Sequence, residues 1–156
     1  EGIIADLSVR ENLIIALQAK RGMFHLLSRK QQEEFTDKYI DMLQIKTASR
    51  ETPIKSLSGG NQQKVIIGRW LQKNPKIYIF DEPTRGLDVG AKADILRMIH
   101  ELSDRGAAVL VIMSDIEEIM SVCHRYLVLH TGKVSAVLPY TATEEELMAA
   151  SIGVEA

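Results

Sequence analysis

The sequence predicts an α/β fold: a helical subdomain, then part of a parallel sheet flanked by helices, with a C-terminal hairpin and helix. Three observations predict it. Helix-start signals dominate about the first fifty residues. Two short apolar runs with a helical stretch between them follow, and a glycine turn then separates two further β-rich runs. This order of elements is typical of an α/β protein.

Four helix starts share one pattern. A serine or threonine accepts a hydrogen bond from an unpaired backbone amide, and a Glu or Gln three residues later reaches back. The pairs are Ser8 with Glu11, Ser28 with Gln31, Ser114 with Glu117, and Thr143 with Glu146. They predict helices near 9–20, 29–44, 115–122 and 144–151.

Two more helices are predicted over 60–73 and 91–103. Pro75 ends the first of them, because the residue before a proline is disfavoured in a helix. Trp70 is expected on the core side of this helix, beside the apolar run 65–67.

The strands are predicted from short β-rich runs. Residues 76–80 and 107–113 are almost continuously apolar, as buried parallel strands are. The helix between them would be the crossover of a β-α-β unit. Residues 126–130 and 134–138 flank Thr131-Gly132-Lys133, which predicts a hairpin.

Composition limits the function classes. The chain has 156 residues, of which 46% are hydrophobic and 26% charged, as in a globular protein. Its net charge of -2 and its lack of a Lys/Arg block argue against a nucleic-acid partner. The single cysteine, Cys123, excludes an internal disulfide and is expected to be a buried small apolar residue. The chain starts abruptly without an initiator methionine, and we expect it to be a fragment.

The stretch IYIFDEPTRGLD ends an apolar run with two carboxylates, Asp81 and Glu82. Ligand sites in open α/β sheets lie at the carboxyl ends of strands. An aspartate there suits Mg²⁺, which prefers oxygen ligands, and the second carboxylate would polarise an attacking water. The alternative is a solvated strand end with a proline-containing turn, and this pattern alone favours neither.

The stretch LSGGNQQK begins a predicted helix. Gly59 and Gly60 permit close backbone approach, and the helix start offers unpaired amides and a positive dipole end. Ser58 adds a hydroxyl and Gln62 an amide, so the set suits one terminal phosphate. The alternative is a simple Ser/Gly helix start.

Taken together, these stretches resemble the ATP-binding-cassette (ABC) ATPases. LSGGNQQKV resembles their signature motif, IYIFDEP their Walker B motif and GLDVGAK their D-loop. The resemblance implies a partial P-loop NTPase fold, with 1–56 as the helical subdomain and 57–156 as the signature helix and the C-terminal part of the α/β core. More narrowly, the sequence is similar to the second half of twin-cassette ATPases that power bacterial importers of ribose, galactose and xylose.

The resemblance also implies cofactors and residue roles. ATP and Mg²⁺ would be the cofactors. Asp81 would bind Mg²⁺ and Glu82 would be the general base. Asp88, in the D-loop, would lie at the interface between cassettes. The γ-phosphate of an ATP on the facing cassette would be held by Ser58, Gly59, Gly60 and Gln62.

Two motifs of the family are absent. No G-x-x-x-x-G-K-[ST] phosphate loop occurs; the family places it, and the glutamine loop, N-terminal to the helical subdomain. The chain therefore resembles the C-terminal part of a cassette. Where most cassettes carry a histidine against the γ-phosphate, the strand alignment gives Ser114. A hydroxyl cannot replace an imidazole as a cation or proton shuttle, so the cassette's own site would be slow or regulatory.

The function expected is that of an importer's ATPase subunit. Its partners would be a facing cassette (the first half of the same chain or a second subunit), membrane permease subunits contacting the helical lobe near 8–45, and indirectly a periplasmic solute-binding protein. It would lie at the cytoplasmic face of the bacterial inner membrane. The alternatives are a regulatory cassette that clamps nucleotide without hydrolysis, and a non-transport ABC protein.

Overall fold

The computed structural model describes residues 2–22, 25–73 and 75–153. The chain folds as two units. The helical unit comprises Glu1–Lys76 and Gly86–Lys92, and the sheet unit comprises Ile77–Arg85 and Ala93–Ala156. Among the described residues, no helix has both the length and the apolar character needed to span a membrane.

The helical unit contains α1 (Val9–Arg21), α2 (Arg29–Met42), a 3₁₀ turn at Ile54–Ser56 and α3 (Gly59–Leu71). Helix α1 packs against both α2 and α3. The core between them includes four fully buried aliphatic side chains, those of Val9, Leu13, Ile54 and Val65.

A buried polar cluster joins α1 to α3 and to the segment that precedes α1. The Asn12 side chain is fully buried, and its Oδ1 accepts hydrogen bonds from the backbone amide of Ile4 (3.0 Å) and from Arg69 Nη2 (2.8 Å). Its Nδ2 donates to the carbonyls of Ile4, Leu7 and Ser8. Arg69 Nε also donates to the Asn12 carbonyl, and burial lowers the pKa of Arg69.

An ion-pair network covers one side of this unit. Arg10, almost fully buried, meets the Glu51 carboxylate with two hydrogen bonds, of 2.8 and 3.2 Å. Arg29 donates to the same carboxylate, from Nη2 to Oε1, at 2.7 Å. The hydrogen bond from Arg10 is the main reason that the pKa of Glu51 lies below its ordinary value.

The sheet unit contains two separate two-stranded sheets. Strands β1 (Ile77–Asp81) and β2 (Ala108–Ile112) are parallel, with α4 (Val89–Asp104) as the connection between them. Strands β3 (Arg125–His130) and β4 (Lys133–Pro139) form an antiparallel hairpin. Together with α5 (Ile116–Val122) and α6 (Glu144–Ser151), they complete the described elements.

The hairpin and its neighbouring helices share a small core. Its fully packed members are Tyr126, Ala142 and Leu147. Cys123 packs against them and is partly buried, so the pKa of its thiol is raised. A protonated thiol is a poor nucleophile, so the position fits the packing role that the sequence predicts.

The predicted elements are confirmed in type and order, and their observed ends lie within two residues of the predicted ends. Three of the four capping boxes are confirmed: those that begin at Ser8, Ser28 and Thr143. The fourth prediction, Ser114 with Glu117, is wrong. Asp115 is the N-cap residue of α5 and accepts from the amide of Glu118, because the Ser114 hydroxyl donates to Glu82 instead.

Two burial predictions are also wrong. Trp70 is 50% exposed, and Lys73 Nζ lies 4.9 Å from its ring centroid, although Val65 and Ile67 of the same helix are buried. The parallel strands are not buried on both faces. One face of the β1–β2 sheet exposes large apolar side chains, those of Ile77, Ile79, Leu110 and Ile112.

We predict that Asn12→Ala lowers the free energy of unfolding by about 2–3 kcal/mol, because it leaves several buried groups without their hydrogen-bond partner. Urea denaturation followed by circular dichroism measures the change. Lys20→Ala, on the exposed face of the same helix, is the control and should change stability by about 0.5 kcal/mol or less. A loss of less than about 1 kcal/mol for Asn12→Ala would show that the cluster is not a main support of the unit.

Candidate functional site

In the helical unit, the start of α3 carries the glycine-rich motif. Ser58 is the N-cap residue, yet its side chain makes no capping bond to the backbone. Asn61 Nδ2 instead donates to Ser58 Oγ at 2.8 Å. The first turn of α3 therefore has no side-chain cap, and its amides retain the capacity to bind an anion.

The other motif residues divide into exposed and buried positions. Ser58 and Gly59 are exposed, whereas Gly60 is buried. Gln62 is partly buried, and its Nε2 donates to the carbonyl of Leu57 at 2.9 Å. The Gln62 amide thus holds the turn that precedes α3.

Asp88 lies at the start of α4, where its Oδ1 accepts a hydrogen bond from the amide of Ala91 at 2.9 Å. Its own carbonyl accepts from the amide of Lys92. The carboxylate therefore fixes the first turn of α4, and it does so in the part of α4 that belongs to the helical unit.

In the sheet unit, the two adjacent carboxylates follow β1. Asp81 is its last residue and is exposed. Glu82 is partly buried, has a φ of +45° and donates its amide to the Ile112 carbonyl at 2.9 Å. A positive φ is uncommon outside glycine. It turns the chain at the end of the strand while that hydrogen bond ties the turn to β2.

Glu82 and Ser114 come together across the ends of the two strands. Ser114 Oγ donates to Glu82 Oε1 at 2.9 Å, although 32 positions separate the residues. A neighbouring bond joins Thr84 Oγ1 to the Glu118 carboxylate. The bond from Ser114 orients the Glu82 carboxylate at the carboxyl edge of the parallel sheet, the usual edge for ligands.

This donor set fits Mg²⁺ bound together with a nucleotide. Among the residues the structure describes, no group of three or more His, Cys, Asp or Glu could hold a metal by itself. Mg²⁺ commonly takes one or two carboxylates and completes its shell with water and substrate phosphates. Asp81 offers one exposed carboxylate at the end of β1, as such a site would need.

Each unit therefore brings together some of the residues that the sequence singles out. The helical unit joins Ser58, Gly59 and Gly60 to the segment that contains Asp88, and the sheet unit joins Glu82 to Ser114. Sequence reasoning missed Asn61, which contacts Ser58. Its place three residues after the N-cap residue could have indicated a contact with it.

With this geometry established, comparison with known proteins gives the family. Residues 1–85, more than half of the chain, match the ABC transporter family. The chain therefore belongs to that family, and its fold is part of an ABC cassette of the P-loop NTPase class.

Solved cassettes have the same fold. The dimeric structure of a post-hydrolysis state of the ATP-binding cassette MJ0796, bound to ADP and Pi, aligns with 90% of this chain and 60% of that chain at a TM-score of 0.72 and 25% identity. An inward-facing structure of a putative metal-chelate type ABC transporter aligns over 96% of this chain and 59% of that one, with a TM-score of 0.80 and 18% identity.

Curated relatives of high sequence similarity are import ATP-binding proteins. The galactofuranose transporter ATP-binding protein YtfR of Escherichia coli K12 is 50% identical over 139 residues, which are 89% of this chain and 28% of that protein. The ribose import ATP-binding protein RbsA of Bacillus subtilis is 42% identical over 154 residues, which are 98% of this chain and 31% of that protein. The chain thus spans less than a third of the length of these relatives.

Proposed function

We propose that the chain is the C-terminal part of the second nucleotide-binding domain of a twin-cassette ATPase that powers bacterial uptake of a sugar or related small solute. The observation that carries the proposal is the match to sugar-import ATP-binding proteins along nearly the whole chain, at 42% identity over 98% of its length in one case. The proposed subdomains are 1–56, the helical part, and 57–156, the signature helix and α/β core.

In this proposal the two motif sets serve different nucleotides. Ser58, Gly59, Gly60 and Gln62 bind the γ-phosphate of an ATP held by a facing cassette. The uncapped first turn of α3 supports this role, because its amides and dipole favour an anion. Asp88 lies at the interface of the two cassettes.

The carboxylates serve the nucleotide of the same cassette. Asp81 holds Mg²⁺, which neutralises charge on the phosphates when bound. Glu82 orients a water and takes its proton. Ser114 donates to Oε1, so the proposal assigns the proton to Oε2, which has no hydrogen bond from Ser114.

In this proposal Ser114 makes the cassette's own nucleotide site the slower of the two sites. Its hydroxyl orients Glu82, but it cannot hold a positive charge or relay a proton as an imidazole does. A regulatory cassette that clamps nucleotide without hydrolysis is the second candidate, and Ser114 is the observation that favours it.

The exposed apolar face of the β1–β2 sheet supports the assignment to a larger cassette. Ile77 and Ile79 are each more than 60% exposed, and Leu110 and Ile112 about half exposed. A sheet face of this kind is normally covered. The solved cassette bound to ADP and Pi extends well beyond the 60% that this chain matches, so we propose that the rest of the cassette covers this face.

The proposed partners follow from the same assignment. They are a facing cassette, membrane permease subunits next to the helical part, and indirectly a periplasmic solute-binding protein. The proposed location is the cytoplasmic face of the bacterial inner membrane, and no nucleic acid is involved.

We predict an asymmetric response to mutation in the twin-cassette protein. Ser58→Arg should lower the rate of ATP hydrolysis by at least about tenfold, because it blocks the anion site that completes the stronger nucleotide site. Glu82→Gln should leave most of that rate intact, because it affects only the slower site. Phosphate release from purified protein measures both rates.

Ser56→Arg, at an exposed position two residues before Ser58, is the control for adding an arginine. Retained turnover in Ser58→Arg together with lost turnover in Glu82→Gln would show that the asymmetry is reversed. To separate the two candidates, Glu82→Gln is combined with an inactivated first cassette. If the protein with an inactivated first cassette still hydrolyses ATP and Glu82→Gln removes that activity, this cassette is a slow hydrolase. If no hydrolysis remains before Glu82→Gln is added, this cassette is a clamp without hydrolysis.

We also predict that the 156-residue chain alone neither binds Mg-ATP tightly nor hydrolyses it. A phosphate loop supplies most phosphate contacts in nucleotide hydrolases, and this sequence contains none. Isothermal titration calorimetry should show no binding at micromolar Mg-ATP. Micromolar affinity would contradict the assignment of the motif to a nucleotide held elsewhere.

A further inference from the structure

We propose that the missing side chain of Gly60 has a positioning role, in addition to the contact proposed between its backbone and a γ-phosphate. This missing side chain lets the segment Gly86–Lys92, called here the 86–92 segment, pack directly on the start of α3. The signature motif and the segment that contains Asp88 then form one surface. The functional part of this inference rests on the proposed function, whereas the packing part concerns the helical unit alone.

The first observation is that a side chain at position 60 would have no space beside Ala91. A Cβ at position 60 would lie 2.6 Å from the Cβ of Ala91, closer than real Cβ atoms approach other atoms. The Ala91 Cα would be 3.8 Å away, an ordinary contact. The conflict is therefore confined to a single methyl group, that of Ala91.

Backbone conformation gives the second argument. Gly60 lies inside α3 and does not have the positive φ that would require a glycine, whereas Gly86 does. An alanine at position 60 would be favoured over glycine by helix propensity alone. The need for glycine here is therefore steric.

A change within the 86–92 segment cannot easily relieve the conflict. The amide of Ala91 is fixed to Asp88 Oδ1 at 2.9 Å, and Ala91 has no side-chain rotamer that would relieve a clash. The neighbouring Leu87 Cδ2 is 3.5 Å from where a Cβ of Gly59 would be, an ordinary contact. Of the two glycines only Gly60 is buried, so Gly60 sets the distance between α3 and the 86–92 segment.

A different reason for glycine at position 60 would be that a phosphate, and not Ala91, occupies the space a side chain would need. The two reasons predict opposite results for a compensating change. If Ala91 is the obstacle, Ala91→Gly makes room for Gly60→Ala. If a phosphate needs the space, Ala91→Gly does not restore what Gly60→Ala loses.

The test is a double-mutant cycle with Gly60→Ala and Ala91→Gly. In the 156-residue chain, Gly60→Ala should lower Tm by roughly 4–8 °C through overpacking. Ala91→Gly should lower it by about 2–4 °C, the usual effect of glycine in a helix. The double variant should melt no lower than Ala91→Gly. Additive losses would overturn the packing contact.

Ala93→Gly is the matched control, because Ala93 is exposed on the same helix and carries the same backbone penalty. It should not rescue Gly60→Ala. If Gly60→Ala fails to fold, Ala91→Val tests the contact from the other side with Gly60 intact. A Tm loss of similar size supports the contact, and an unchanged Tm overturns it.

The functional readout is ATP hydrolysis by the twin-cassette protein. Gly60→Ala should lower kcat by at least about tenfold, and Ala91→Gly in the double variant should restore it to within about twofold of Ala91→Gly alone. A double variant with recovered Tm but unrecovered kcat would overturn the positioning role in favour of phosphate approach. If neither Gly60→Ala nor Ser58→Arg affects turnover, the proposed function fails, while the Tm cycle still decides the packing contact.

Discussion

The close approach of the 86–92 segment to the start of α3 is the constraint on which the candidate phosphate-binding surface depends. It leaves no room for a methyl group at position 60 beside Ala91. The amides at the start of α3 and the carboxylate of Asp88 consequently hold fixed positions within one unit. The buried bonds of Asn12 and Arg69 anchor α3 to α1 from the opposite end of the helix.

The chemistry is divided between two sets of residues that differ in what they offer. The start of α3 provides uncapped amides and a hydroxyl, which suit an anion. The carboxyl end of β1 provides two carboxylates, which suit a cation and a water. The hydrogen bond from Ser114 orients the Glu82 carboxylate without supplying a titratable partner. An unequal pair of nucleotide sites is the consequence that we propose.

Local signals in the sequence predicted most of the fold. Capping boxes begin three helices at the predicted residues, because they satisfy amides within one turn. The predicted N-cap residue of α5 was wrong because Ser114 and Asp115 are both good N-cap residues. The choice between them depends on Glu82, which is remote in sequence. The exposure of Trp70 and of one face of β1–β2 was missed because apolar character does not reveal which face has a covering layer. The contact of Gly60 with Ala91 could not be predicted either, since it needs the packing of α3 against a segment thirty positions away.

A structure of the twin-cassette protein with a non-hydrolysable Mg-ATP analogue in both nucleotide sites would show which cassette's residues contact each γ-phosphate. We expect Ser58 Oγ and the amide of Gly60 to lie about 3 Å from the γ-phosphate of the nucleotide bound to the other cassette. We also expect Ala91 to remain packed on Gly60 in that state. A γ-phosphate contacted only by residues of its own cassette, with Ser58 facing solvent, would contradict these expectations.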